Sequence, residues 1–577
     1  MKYNFFLFFI IIIVNHNTLS QEVKESEGKI ENAQILIEKN KIIVLPDAQK
    51  KGDDTIQNIN KSINYVSNIN SIDLNVRKEK LSIDEIKDYL IDKKTITSYN
   101  NNFSLLFGNY KSLLIKSDNY FDFLENLKFD ASLYHNSNKI GYTKDDNSGF
   151  FDSKISLNSY YTEKFLNSYH NINLNLSYNR IKTFYYGFIN ENSNEILKED
   201  IDINNNFFGY NISISKGINH DIKQKLFYKI IFNNSNLNSY LYNEYVSIIK
   251  AEINFNINNN INSNLTFDNY YRNLKKNNNS IISEDQKRNN MLLNYFFDYK
   301  FKNYDIKLGI IYDIDPKLKD HALYPLFEFN YLNQNGYYMN LFLDGGDDTN
   351  FYFSRIKENP YLYDTNFEYI DLVEKINYGG LFGVKILNNK GNLKLSYNEK
   401  KLSNFFIYGK SKNDIISSNN KDFDIYRYSI FYDSGNVNQK KINLFFDYSK
   451  DKFFNSSLIF TYNNYKLNNF SYASNLPKYE IYISNKLKIN NFEIIGNITS
   501  FIETYSIDSN KNSEKLENYL NINFNINYLL FENTKIILQL NNILDSKNEV
   551  YYKYNDLGFN LKFGFIYSLK WKNSMTI

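Results

Sequence analysis

Gly558-Phe-Asn-Leu-Lys-Phe-Gly-Phe-Ile-Tyr-Ser-Leu-Lys-Trp571 is the stretch that decides the fold. Phe559, Leu561, Phe563, Phe565, Tyr567, Leu569 and Trp571 occupy every second position, and Asn560, Lys562, Gly564, Ile566, Ser568 and Lys570 fill the positions between. Successive side chains of a strand point to opposite faces, so one face of this segment is aromatic and apolar while the other is mostly small or polar. The same alternation runs through Asn171-Ile-Asn-Leu-Asn-Leu-Ser-Tyr-Asn179 and Tyr519–Tyr528, where Leu520, Ile522, Phe524, Ile526 and Tyr528 share a face. It recurs from Phe103 onward with no helical pattern to cover the apolar side. Lipid is then the apolar partner, and only a closed barrel leaves no unpaired strand edge in hydrocarbon.

The composition agrees. Aromatic residues make up 17% of the 577, with 52 Tyr and 47 Phe, a supply that girdles at the two membrane interfaces would use. Mean hydropathy is negative and no internal apolar run reaches about 18 residues, as expected where strands turn only half their residues to lipid. The formal net charge of +3 is too small to direct the chain to nucleic acid, and no Lys/Arg-dense block tracks phosphates. Zero cysteines exclude disulfides, thiolate metal sites and cysteine nucleophiles. The abundant Asn, Lys, Ile, Tyr and Phe share A/T-rich codons, so Asn-rich tracts and Asn-x-Ser/Thr triplets carry no functional weight.

The chain opens with Lys2, an unbroken apolar run from Phe5 to Val14, and then Thr18-Leu-Ser-Gln21. This is the pattern of a secretory signal peptide over 1–20, cleaved between Ser20 and Gln21. Residues 21–102 are charged and poor in aromatics. Ile35–Ile37 and Ile42–Leu45 read as short strands, and Ser82 with Glu85 opens a helical turn. We expect a small periplasmic segment there, partly ordered at most, then a transmembrane antiparallel barrel over 103–571 and a tail over 572–577. At roughly 9–11 residues per membrane strand plus turns, the barrel stretch holds about 22 strands, within a range of roughly 16–24. No fixed-period repeat points to a propeller or β-helix.

Three stretches resemble the barrels of TonB-dependent receptors and a plug-poor subgroup of them. The first is the C-terminal hairpin, Leu540-Asn-Asn-Ile-Leu-Asp545, Val550-Tyr-Tyr-Lys-Tyr-Asn555 and then Gly558–Trp571. The second is Asn32–Pro46. The third comprises Asn102–Tyr110 and Asp344–Leu362, with Glu358-Asn-Pro-Tyr-Leu362 read as a mid-barrel segment. The resemblance implies an outer-membrane location, passage or uptake of a solute, and a final strand (Phe559 to Trp571) read by the barrel-assembly machinery. The chain departs from the pattern in three ways. Lys572–Ile577 follow Trp571, 21–102 is too short for a globular plug, and Asp54-Thr-Ile56 is a poor match to a TonB-contacting box. A plug-poor barrel of this size has a wide lumen. Loops fold into it, a separate periplasmic or lipoprotein partner fills it, or it conducts.

No catalytic motif is present, and the expectation is a non-enzyme without cofactor or metal. His135, His170, His220 and His321 are scattered, with no ligand spacing. Asp344-Gly-Gly-Asp-Asp348 reads as a solvated turn in preference to a Ca²⁺ loop, and Glu399-Lys-Lys401 as a solvated loop. The doublets Tyr160-Tyr161, Tyr185-Tyr186, Tyr270-Tyr271, Tyr337-Tyr338 and Tyr551-Tyr552 read as interface girdle in preference to sugar-stacking platforms. The rival functions are a structural or surface-assembly barrel with no transport of its own, and an enzyme at the barrel rim.

Overall fold

The computed structural model describes residues 101–569, apart from 125, 145, 166–167, 188–196, 217–225, 259, 278–284, 316–319, 334–335, 412–413, 419–420 and 451–452. The signal peptide with Ser20 and Gln21, the segment up to residue 100, His220, Trp571 and the tail lie outside the described residues.

Twenty-two strands form one sheet, and each pairs antiparallel with the next barrel strand in the chain. The first, Asn101–Gly108, pairs with the last, Asn560–Leu569, from Asn101↔Leu569 to Gly108↔Lys562, which closes the cylinder. Closure removes both sheet edges, as an all-β chain in lipid requires. The seam needs a glycine. A side chain at Gly564 would put its Cβ 1.9 Å from the Leu105 carbonyl oxygen, so only a residue without one lets the strands meet there.

The alternation read from sequence is the inside–outside alternation of the wall. On Ser168–Phe184, Ile172, Leu174, Leu176 and Tyr178 are exposed on the outer face, while Asn171, Asn173, Asn175, Ser177 and Asn179 face the lumen and are partly covered. On the last strand Phe563, Phe565, Tyr567 and Leu569 are exposed outward, with Phe559 just before the strand and Leu561 half-buried, whereas Asn560 and Lys562 are buried on the inside. The inner face is joined by side-chain hydrogen bonds between neighbouring strands. Asn158 binds both Asp130 and Asn175, Ser132 meets Ser156 at 2.7 Å, and Thr461 donates to Asn443 at 2.8 Å.

The two ends of the cylinder differ. At one end the connections are short, as at Lys302-Asn303 and Asn490-Asn491, where Lys302 and Asn490 take φ of 50°. The first strand starts and the last described strand finishes at this end. At the other end the connections include 185–201, 349–371, 404–435, 503–518 and 542–559. Short turns face the periplasm and long loops the exterior in outer-membrane barrels, so both chain ends of the barrel lie on the periplasmic side. A closed 22-strand cylinder with an apolar outer belt is an outer-membrane barrel.

Candidate functional site: a loop assembly in the barrel mouth

Among the described residues, the largest buried apolar cluster lies among the external loops. Tyr352, Ile356, Leu362, Phe367 and Tyr369 of the 349–371 connection, Phe406, Tyr408, Tyr428 and Ile430 of 404–435, and Tyr551 and Tyr554 of 542–559 pack into one cluster. Phe207, Leu237, Tyr242 and Leu274 of the wall belong to the same cluster. Phe207 pairs with Leu237, Leu237 with Glu244 and Glu244 with Leu274, so these strands share an inner-face row. The loops therefore fold into the mouth and seat on the inside of the wall. Backbone pairing reinforces them. Leu362 bridges Tyr428, Phe406–Lys410 pairs with Tyr428–Tyr432, and Gly409 and Lys410 pair in parallel with Ile507 and Asp508.

One buried ion pair ties the 349–371 loop to the wall. Arg272, on the inner face of Ile261–Lys276, is fully buried. Its two terminal nitrogens donate to the two carboxylate oxygens of Asp371 at 2.6 and 2.8 Å, to the Asn350 carbonyl at 2.6 Å and to Asn290 Oδ1 at 2.6 Å. Asp371 also accepts from the Asn350 backbone N–H at 2.7 Å and from Asn290 Nδ2 at 3.0 Å. The guanidinium lies 4.8 Å from the Tyr369 ring centre. Asn350 and Asp371 stand at the two ends of the loop, so this one cation fastens both of its feet. Two charges so buried are tolerable because nearly every proton and lone pair is matched.

Glu244 makes a second attachment. Its carboxylate accepts the Tyr352 and Phe353 backbone N–H groups, both at 2.8 Å, and the Tyr369 hydroxyl at 2.9 Å. It thus caps the helix Tyr352–Glu358 from the neighbouring wall, since the residue before the helix, Phe351, has no capping side chain. Inside the helix, Arg355 lies 3.7 Å from the Phe406 ring centre and donates to Asn350 Oδ1 at 2.6 Å. Tyr408 donates to Glu358 at 2.5 Å and Tyr551 to the Glu358 carbonyl at 2.7 Å. Tyr361 stacks on Tyr554 at 3.8 Å. Burial shifts the loop titrations: the Tyr361 phenol is pushed up to about 12, the Asp364 carboxyl is raised, and the Asp556 carboxyl is pushed up to about 6, with the Tyr519 hydroxyl bond at 2.8 Å working against that rise. The site binds by packing and hydrogen bonding, and its chemistry is that of a latch.

Several sequence expectations need correction. Asp344–Asp348 is no solvated turn. It ends the strand Tyr337–Asp348 with a bulge between Asp344 and Gly346, and Asp344 accepts from Asn377 at 2.7 Å. Glu399-Lys-Lys401 is no loop either; it lies in Gly391–Ser403, where Lys400 reaches Glu374 at 2.7 Å. Glu358–Leu362 stands in a loop and not in the barrel wall. Tyr185, Tyr186, Tyr551 and Tyr552 belong to the loop assembly and not to a girdle; Tyr186 donates to the Asn555 carbonyl at 3.0 Å. Tyr160-Tyr161, Tyr270-Tyr271 and Tyr337-Tyr338 do lie on wall strands. His135 and His170 are on strands with hydroxyl partners, Ser153 and Tyr228. Among the described residues, no group of three or more His, Asp or Glu side chains is placed to hold a metal. Arg272, Glu244 and Asp371 carry no local signal in the sequence, because they belong to no motif and Asp371 lies 99 residues from Arg272.

No protein-family model matches the sequence, and no curated protein sequence matches it significantly. Solved structures share the fold. The chain is similar to the FrpB iron transporter from Neisseria meningitidis (F3-3 variant), with a TM-score of 0.59, 9% identity and 81% of each chain covered. It is similar to the siderophore receptor PirA from Acinetobacter baumannii, with a TM-score of 0.59 and 10% identity over 82% of this chain and 81% of that one. The ferric enterobactin receptor PfeA of Pseudomonas aeruginosa gives 0.59 and 11% over 81% of each. At these identities the likeness is one of fold. The 22-strand barrel is receptor-like in architecture, and the neighbours that define it are transporters and receptors.

Proposed function

We propose that this chain is a TonB-dependent receptor-like outer-membrane barrel that takes up a solute, with its mouth closed by its own loops. One observation carries the proposal: a polar-walled cylinder of 22 strands is covered at its external end by a loop core latched to the wall at Arg272 and Glu244. The fold shared with the iron transporter and the two siderophore receptors supports uptake as the activity. Solute enters when the 349–371 loop leaves the inner wall, and the amide-rich and hydroxyl-rich lumen then offers hydrogen bonds in place of water. Periplasmic or lipoprotein partners, and insertion by the barrel-assembly machinery through the Phe559–Trp571 strand, belong to this proposal.

A second reading is favoured by the core-like packing of the loops: a structural or assembly barrel, plugged by its own loops, that moves no solute. Planar-bilayer recording separates the two. Uptake predicts discrete openings of the intact protein and a steady large conductance once 351–370 is replaced by a short Gly/Ser linker. Silence from both proteins would favour the structural barrel and defeat uptake.

A further inference from the structure

We propose that the periplasmic exit of the barrel is a docking surface for an acidic periplasmic protein that fills the opening. This names the chemistry of the partner invoked above and rests on that reading of the barrel. Six exposed lysines ring the exit: Lys164, Lys229, Lys300, Lys385, Lys488 and Lys535. Each lies among the last four residues at the periplasmic end of its strand, and around the cylinder they stand three to five wall strands apart. Among the described residues at this end, the exposed carboxylates are Glu163 and Glu532. The external end shows no such bias, with Glu199, Glu368 and Glu514 exposed beside Lys275, Lys357 and Lys511. Surfaces ordinarily intersperse the two signs, and a one-sign ring creates a field that steers an oppositely charged partner.

Strand alternation turns all six lysines into the lumen and away from lipid. Each stands an even number of residues from an inner-face residue of its own strand, namely Asn158, Leu237, Asn290, Asn377, Glu480 and Ile537 in turn. Glu163, by contrast, is on the lipid side and takes the Tyr161 hydroxyl. The inward carboxylates at this level are half-buried and engaged: Glu252 takes Asn254 at 2.9 Å, Asp298 takes Asn264 at 2.7 Å and Glu493 takes Lys486 at 2.8 Å. Lys300 reaches Asp305 only at 3.8 Å, and Lys229, Lys385, Lys488 and Lys535 form no ion pair among the described residues.

Geometry selects the occupant. Inward lysines do not meet phospholipid headgroups, which surround the outside of the wall. A small anion is also a poor fit. A cylinder of 22 strands spaced about 4.8 Å apart and tilted about 40° is roughly 40 Å across. Opposite lysines are then separated by more than two Debye lengths of about 8–10 Å each, and an ion on the axis is screened from them. A body that fills the exit touches several lysines at once, and electrostatic complementarity sets its register and speeds its arrival. Residues 21–100 of this chain, with 14 Asp and Glu against 13 Lys and Arg, are too evenly charged to complement the ring. A separate acidic protein does so.

The test is binding of fluorescent poly-L-glutamate, long enough to span the exit, to the full-length protein in nanodiscs, with citrate as competitor. We expect salt-sensitive binding that citrate at equal carboxylate concentration does not displace. The triple variant Lys229→Gln/Lys385→Gln/Lys488→Gln should weaken it by at least about tenfold, and the corresponding Lys→Arg triple should retain it. Lys275→Gln/Lys357→Gln/Lys511→Gln, which removes the same charge from the external end, should bind as wild type. Nanodiscs of phosphatidylglycerol and of phosphatidylcholine should give the same result. Heat-modifiable gel migration shows that each variant is a folded barrel. Absence of binding, an equal loss in the rim and external variants, displacement by citrate, or suppression by phosphatidylglycerol would overturn the proposal. The uptake reading is scored separately, by the bilayer conductance of the protein with 351–370 replaced, so either can fail without the other.

Discussion

Arg272→Met tests the latch most sharply. The substitution removes a guanidinium that makes four hydrogen bonds from full burial and keeps most of its volume. Asp371 is left with the Asn350 N–H and the Asn290 amide, without its counter-ion. Breaking a buried pair from one side typically destabilises by about 3–5 kcal/mol, because a buried charge stands uncompensated. The barrel is held by ladders on 22 strands and does not unfold. The penalty falls on the closed position of the 349–371 loop. At about 1.4 kcal/mol per factor of ten, the open-to-closed ratio should rise by roughly two to three and a half orders of magnitude. Asp371→Leu alone should do the same, by stranding Arg272. The double variant Arg272→Met/Asp371→Leu replaces the pair with apolar groups and should recover closure nearly to the wild-type level. Open probability in planar bilayers, together with the rate of protease cleavage within 349–371, reads all four proteins. Wild-type closure in both single variants, or a double variant as open as the singles, would refute the latch.

Further expectations concern the cap, the pH response and the seam. Glu244→Gln leaves the Tyr352 and Phe353 N–H groups with one poorer acceptor, so the helix foot should loosen by about 1–2 kcal/mol and raise open probability roughly 5- to 30-fold. The Asp556 carboxyl is pushed up to about 6 by burial from an ordinary value of 3.8, so the closed loop assembly holds its proton more tightly than the open one. Closure is accordingly strongest below about pH 4, weakens as pH rises to about 6 and is flat above; Asp556→Asn should remove that dependence from bilayer recordings taken between pH 4 and 8. Gly564→Val places side-chain atoms against the Leu105 carbonyl, so the first and last strands should fail to pair. Loss of the compact, heat-modifiable band on a gel would show it.

The wall was legible because its physics is local. Lipid outside and water inside impose a period of two, and Ile172–Tyr178 and Phe559–Leu569 display it without help from the rest of the chain. The mouth obeys no such period. Tyr551 and Tyr554 sit in an aromatic, turn-rich segment, and only the fold reveals that they pack on Leu362 and Tyr428 instead of on lipid. Arg272 reads as one more charged residue at the start of a polar run, because its partners Asn350 and Asp371 are set by barrel closure and not by spacing. Asp344–Asp348 misleads for the opposite reason: its Gly-Gly pair signals a turn, and the strand absorbs it as a bulge.

A membrane barrel is defined by which medium touches each face of its wall, and the absence of cysteine allows that to be measured without background. Single cysteines placed in turn from 171 to 179 and spin-labelled in bilayers should alternate. Labels at 172, 174, 176 and 178 should be relaxed by oxygen dissolved in the membrane, and labels at 171, 173, 175, 177 and 179 by a water-soluble nickel complex. Uniform access to the nickel complex along the whole strand, or shielding of the even positions from both reagents, would contradict a lipid-facing barrel.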